Sequence, residues 1–200
     1  MKDTHNLPKC YLRIKAVKKH IEDETIKQCF NRYTYRYRVA RAFEGINAPD
    51  IEKRTRGGYE VAIKLLLAYS AYEEIRAIKF KVKELKLPRG EHIKIFNNEL
   101  AGKLREITEL EKLLKNSRVV YDKDLVLDMK NFYENKNDDV LCIATAFRNT
   151  FAHGVFTAGA ADLTTKKYQK IIINLIEAIL LKSEEIANEC AEHFERNLKG

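Results

Sequence analysis

Apolar residues return every three or four positions through most of this chain, and the rhythm stops where Gly, Pro, Asn and charge collect. Between Lys9 and about Phe43, Leu12, Ala16, Val17, Ile21, Ile26 and Phe30 recur at helical spacing, which predicts an amphipathic helix, whole or broken. Within it, NRYTYRYRVARAF at 31–43 alternates Tyr and Arg with a period of two, so a short extended piece competes with helix, and helix is preferred. EGINAPDIEKRTRGG at 44–58 reads as a linker. From Tyr59 to Leu85, Val61, Ile63, Leu65, Leu66, Ala68, Tyr69, Tyr72, Ile75, Ile78 and Phe80 place a long core helix, stopped by Pro88 and Gly90. Amphipathic stretches follow from about Glu91 to Leu114 and from Lys123 to Tyr133. Asn137 or Asp138 caps a helix through VLCIATAFRNTFAH that Gly154 ends, and Thr164 or Thr165 opens a last helix reaching about Asn197.

The pattern predicts an all-α fold, an antiparallel up-and-down bundle of four main helices with an additional basic N-terminal helix. The domain reading is a basic helical arm and linker over 1–58 and a helical bundle over 59–200, forming one compact domain, since 200 residues support one sizeable core and are few for two. Composition agrees: 45% hydrophobic and 33% charged residues with only 8 Gly and 3 Pro argue against a sandwich or barrel. IIINLIEAILL at 171–181 is interrupted by Asn174 and Glu177 and is too short to span a bilayer, and MKDTHNLPKCYLRIK lacks the apolar core of a signal peptide. A cytoplasmic protein without membrane attachment is expected. Cys10, Cys29, Cys142 and Cys190 form no CxxC pair and have no His at zinc spacing, so they read as reduced, buried thiols. Neither GxxxxGK[ST] nor GxGxxG occurs, and no metal or cofactor is expected.

The net charge of +8 is uneven: 14 Lys/Arg stand against 7 Asp/Glu from 1 to 56, 16 against 13 from 57 to 137, and 7 against 9 from 138 to 200. Such a basic N-terminal quarter is a footprint for phosphate backbones, and nucleic acid ranks ahead of membrane. In RYTYRYR at 32–38 the tyrosines can stack bases while Arg36, Arg38 and Arg41 contact phosphates; the plainer reading packs those tyrosines on the bundle. KRTRGG at 53–58 is either a phosphate-touching loop or a solvated linker, and Glu184, Glu185, Glu189 and Glu192 read as a solvated acidic face of the last helix.

The sharpest chemistry lies in FRNTFAHG at 147–154. At 100° per residue Phe147 and Phe151 share one side of the helix, while Arg148, Asn149 and His153 take another with small Ala152 between them. Arg148 and His153 are about 7.5 Å apart along the axis, a gap that a long Arg side chain spans. A guanidinium grips two phosphate oxygens and stays charged, so it stabilises a pentavalent transition state but does not serve as a base. The imidazole must move the proton, and the negative end of the helix dipole suits a cationic ring that donates to a leaving oxygen. Activating an RNA 2′-hydroxyl then needs a second histidine, or one acting twice, and a twofold dimer supplies the second copy. Spacing alone leaves a plainer alternative open, in which Arg and His only cap carbonyls at a helix end.

RNTFAH, an R-x4-H motif with a polar residue after the arginine, resembles the signature of the HEPN superfamily of small helical bundles, and LAYSAYEEI at 67–75 resembles the first bundle helix of that superfamily. The resemblance covers roughly 59–197. It implies an antiparallel four-helix bundle whose dimer brings two R-x4-H motifs to one cleft, with metal-independent endoribonuclease activity in many members, commonly toxins or antiviral effectors. By resemblance Arg148 binds the scissile phosphate, His153 transfers protons, Asn149 supports one of them, and Glu73 or Glu74 orients Arg148. RNA, a second copy of the chain and an antitoxin or other regulator are the implied partners. HEPN toxins silenced through a tyrosine often carry His-x-Tyr here; Val155 departs from that pattern and puts such regulation in doubt. The alternative is a non-catalytic HEPN-like bundle that binds RNA or protein, with Arg148 and His153 holding the dimer together.

Overall fold

A computed structural model describes residues 7–82, 85–86, 93–116, 123–154 and 156–198. The expected stop at Pro88 and Gly90, the start at Glu91, and His5, His92 and Val155 lie outside them. Among the described residues the fold is all-α: α1 (Tyr11–Lys18), α2 (Glu24–Ala42), α3 (Lys53–Lys81), α4 (Asn98–Arg105), α5 (Thr108–Asn116), α6 (Lys123–Tyr133), α7 (Leu141–Ala152) and α8 (Lys166–Asn197). No helix of these residues is long and apolar enough to cross a membrane. The chain divides into two compact units, one of residues 1–43, 67–93 and 179–200 and the other of 44–66 and 94–178, so that α3 and α8 contribute to both.

In the first unit the amphipathic stretch is broken: α1 ends at Lys18, and Asp23 caps α2 by accepting from Thr25 N at 2.7 Å and Ile26 N at 3.2 Å. α2 stays helical through the Tyr/Arg alternation, because Ile26, Cys29, Phe30, Tyr33, Tyr37 and Ala40 recur at three and four and make one buried stripe. α1 and α2 therefore contribute to a packed core. Tyr72, Ile75 and Ile78 of α3 and Ile179, Leu180, Ile186 and Cys190 of α8 are buried in the same unit.

The expected solvated acidic face of α8 holds for Glu185 and Glu189, which are exposed, and is corrected at Glu184, whose side chain is 12% exposed, while Glu189 and Glu192 also meet cations. Glu184 accepts from the Tyr37 hydroxyl and faces Arg41 Nη2 at 4.0 Å, Lys79 Nζ donates to Glu189 Oε2 at 2.7 Å, and Arg13 Nη1 donates to Glu192 Oε1 at 2.7 Å. The basic residues of α1 and α2 and the acidic residues of α8 are far apart in sequence and neutralise each other inside one unit.

In the second unit α7 packs against α5 and α6. Its core joins Leu100 and Leu104 of α4, Leu110 and Leu114 of α5, Met129 and Phe132 of α6, and Ile143 and Phe147 of α7. The expected linker at 44–58 is shorter than its composition suggests, since α3 begins at Lys53 and carries KRTRGG as its first turns. The boundary expected at 58 thus falls inside a helix. Gly58 stands there for close approach: a Cβ would lie 2.7 Å from Ala158 Cβ and 2.8 Å from Leu163 O. Leu163 O also accepts from Gln169 Nε2 at 2.9 Å, which fixes the turn leading into α8.

Cys10, Cys29, Cys142 and Cys190 are free and buried. Burial is the main cause that pushes the Cys10 thiol up to about 11 and Cys190 up to about 12, and it raises Cys142 as well. At neutral pH these three stay protonated and are poor nucleophiles.

Candidate active site

The start of α7 is fixed by a residue one position beyond the expected caps. Asp139, 5% exposed, accepts through Oδ1 from Leu141 N at 3.1 Å and from Ile95 N at 2.8 Å. Val140 N donates to Ile95 O at 2.9 Å and Asn97 N to Asp138 O at 3.2 Å, so segment 95–97 lies antiparallel to 138–140. Asn137 accepts instead from Asp139 N at 3.2 Å, and Asp138 pairs with Arg105 at 2.7 Å. Arg105 also donates to Phe132 O at 2.7 Å and Asn137 O at 2.6 Å, pinning the α6–α7 connection at three points. Burial raises the Asp139 carboxyl above the usual range, opposed by the two backbone N–H donors.

The other end of α7 splits as the wheel predicts. Phe147 is fully buried with its ring centroid 4.8 Å from Phe156, and Phe151, half-buried, lies 5.3 Å from the same ring. Phe156 in turn meets Tyr59 edge-on at 6.2 Å. Thr150 is buried and donates to Ala146 O at 2.9 Å. On the opposite side Arg148 and Asn149 are half-buried, and Ala152 and His153 are exposed.

α7 ends at Ala152, one residue short of the expected end. His153 is the cap, at φ −93° and ψ 9°, with its N–H on Asn149 O at 3.2 Å; Gly154 follows at φ +71° and donates to Phe151 O at 2.9 Å. The left-handed glycine closes the helix as its sequence position suggested. Arg148 Nη1 donates to Asn149 Oδ1 at 3.1 Å, so the amide is one anchor of the guanidinium. One turn of backbone thus carries a half-buried guanidinium, the amide it donates to, a small residue and an exposed imidazole.

Glu74, 12% exposed at its side chain, accepts from Arg32 Nε at 2.8 Å and faces Arg36 Nη1 at 2.9 Å in the first unit. Glu73 is half-buried on the same turn of α3. Arg36 also donates to Ser70 O at 3.4 Å, and Arg41 donates to Tyr37 Oη at 3.0 Å while lying 5.2 Å over its ring. Of the three arginines proposed for phosphate contact, Arg36 and Arg41 are engaged within the unit and Arg38 is exposed. The tyrosines divide likewise: Tyr33 and Tyr37 are buried and Tyr35 is 68% exposed. Among the described residues no group of three or more His, Cys, Asp or Glu is placed to hold a metal ion.

No protein-family model matches the chain, and no curated protein or solved structure does either.

Proposed function

We propose that the protein is a metal-independent endoribonuclease of HEPN type, acting through the exposed end of α7. The observation that carries this reading is that an exposed His153 stands one turn beyond Arg148, which donates to Asn149, at the end of α7 away from the Phe147 and Phe151 contacts with Phe156. Arg148 binds the scissile phosphate and stabilises charge as the phosphorus becomes pentavalent. The RNA 2′-oxygen attacks that phosphorus, the bond to the 5′-oxygen breaks, and a 2′,3′-cyclic phosphate remains. One proton leaves the 2′-hydroxyl and another must reach the 5′-oxygen. His153 moves one of them, and His153 of a second copy, brought across a twofold axis, moves the other. Such a dimer makes the site, so a monomer is inactive. A toxin or antiviral effector held in check by a protein partner fits this chemistry.

The test incubates purified protein with labelled RNA in EDTA and compares wild type with His153→Ala. Cleavage that survives chelation, leaves cyclic phosphate ends and disappears in the variant supports the nuclease. Intact RNA across substrates from a wild type that remains dimeric returns the alternative, a non-catalytic dimer that binds RNA or protein.

A further inference from the structure

α1 and α2 meet along a groove with no use in the chemistry above. Tyr11, Lys15 and Lys18 stand at i, i+4 and i+7 on α1, and Asn31, Tyr35 and Arg38 at i, i+4 and i+7 on α2, so each set forms a single stripe. The two stripes line one groove of about 180 Å³, floored by Ile14, which is 2% exposed. Among the described residues no Asp or Glu lines it. Lys18 Nζ donates to Asn31 Oδ1 at 2.5 Å, joining one stripe to the other. Lys15 and Arg38 are exposed, as is most of the Tyr35 ring.

Arg32 and Arg36 of the same helix share Glu74, and Arg41, beyond RYTYRYR, faces Glu184, so these arginines are engaged by carboxylates within the unit. The groove keeps its three cations without an acidic neighbour in its lining, and an aromatic face lies among them. That combination suits a strand whose phosphates alternate with free π-faces: cations track the backbone and a base stacks on the ring. In a duplex the bases are already stacked and offer no face to Tyr35.

We propose that the α1–α2 groove binds single-stranded RNA, with Tyr35 stacking a base and Lys15, Lys18 and Arg38 holding the flanking phosphates. It rests on the reading of RNA as the substrate and adds a contact separate from the scissile phosphate. Sequence reading missed Tyr11, Lys15 and Lys18 because the groove needs two helices whose pairing only the fold reveals; their i, i+4, i+7 spacing was the available signal.

The test uses the full chain carrying His153→Ala and a labelled oligouridine, followed by fluorescence anisotropy over a salt series. Tyr35→Ala is expected to weaken binding by about 5- to 100-fold, from the worth of one stacked base, while Tyr35→Phe binds as the parent. Lys15→Gln with Arg38→Gln should flatten the slope of log affinity against log salt by about 1.4, two phosphates' worth for a single strand. Unchanged affinity in Tyr35→Ala overturns the proposal, as does equal affinity for a blunt RNA duplex. Poly-glutamate that binds as tightly with the same dependence on Tyr35 overturns it in favour of an acidic protein segment. Wild type that binds through the groove yet leaves RNA intact removes the nuclease reading and keeps the groove. RNA cut normally, with Tyr35→Ala binding as the parent, removes the groove and keeps the nuclease.

Discussion

RYTYRYR at 32–38 and FRNTFAH at 147–153 both interleave arginine with aromatic rings, and the fold uses them in opposite ways. In the first, Tyr33 and Tyr37 are buried and Arg32 and Arg36 close on Glu74, so most of the basic run holds a unit together. In the second, the aromatic residues anchor the helix from the buried side, and the arginine and histidine stay on the other. In the first stretch a carboxylate lies close, since Glu74 reaches both Arg32 and Arg36. A cation in a sequence is available to a ligand only where no acidic group of the fold reaches it first, and a helix with opposite charge far along the chain, as α8 has, can claim it unseen.

The comparison can be broken by separating activity from stability. The largest effect belongs to His153→Ala, which should lower RNA cleavage by about 100- to 10,000-fold, the usual worth of a proton-transfer group, with thermal unfolding unchanged. A parallel drop in unfolding temperature would mean that His153 supports the fold instead. Next, Gly58→Ala drives a methyl into Ala158 and the Leu163 carbonyl and should cost about 1–3 kcal/mol in urea unfolding. Glu74→Ala acts on the other stretch: it leaves Arg32 and Arg36 without their shared acceptor and should cost about 1–2 kcal/mol, moderated because both arginines are partly exposed, while cleavage persists.

Smaller effects sharpen the contrast within α2. Arg38→Ala should flatten the salt dependence of RNA binding by about 0.7 and leave the unfolding temperature alone, whereas Arg36→Ala should do the reverse. The smallest effect concerns Asp139. Its folded carboxyl titrates above the ordinary value of about 3.9, so the folded state keeps its proton while the unfolded chain loses one, and stability falls as pH rises through that window and is level above it. Asp139→Asn keeps an acceptor for Ile95 N and Leu141 N without the charge. The stability difference between variant and wild type should therefore grow in favour of Asn through the window and stay flat beyond. A pH-independent difference would assign the shift elsewhere.

Much of the fold was legible because helices write their buried face into local spacing. α6 and the end of α8 fall on their expected residues, and Val61, Leu65, Ala68, Tyr72, Ile75 and Ile78 of α3 are buried as their rhythm requires. The misreadings share one cause, dependence on something distant. KRTRGG carries the composition of a linker, yet it is helical because bare Gly58 fits against a loop a hundred residues later. Neither Asn137 nor Asp138 caps α7, whose N-cap is Val140; Asp139, just before it, accepts from Leu141 N and from Ile95 N of a separate segment. Of the acidic residues of α8 that read as solvated, Glu185 and Glu189 are exposed, but Glu184 is claimed by Tyr37, and Lys79 and Arg13 stand opposite Glu189 and Glu192. At the site itself, the wheel separated the phenylalanines from the polar residues correctly, since that division lies within one helical turn.

Phe156 acts on α7 as a clamp acts on the back of a tool, taking hold through Phe147 and Phe151. The other side of the turn, where Ala152 and His153 are exposed, is then held in place from behind. Residues 148, 149, 152 and 153 form a cassette that can be rewritten from cutting to gripping, or to neither, while the helix beneath keeps its place, so a nuclease and a silent binder on this frame would differ by no more than a few side chains.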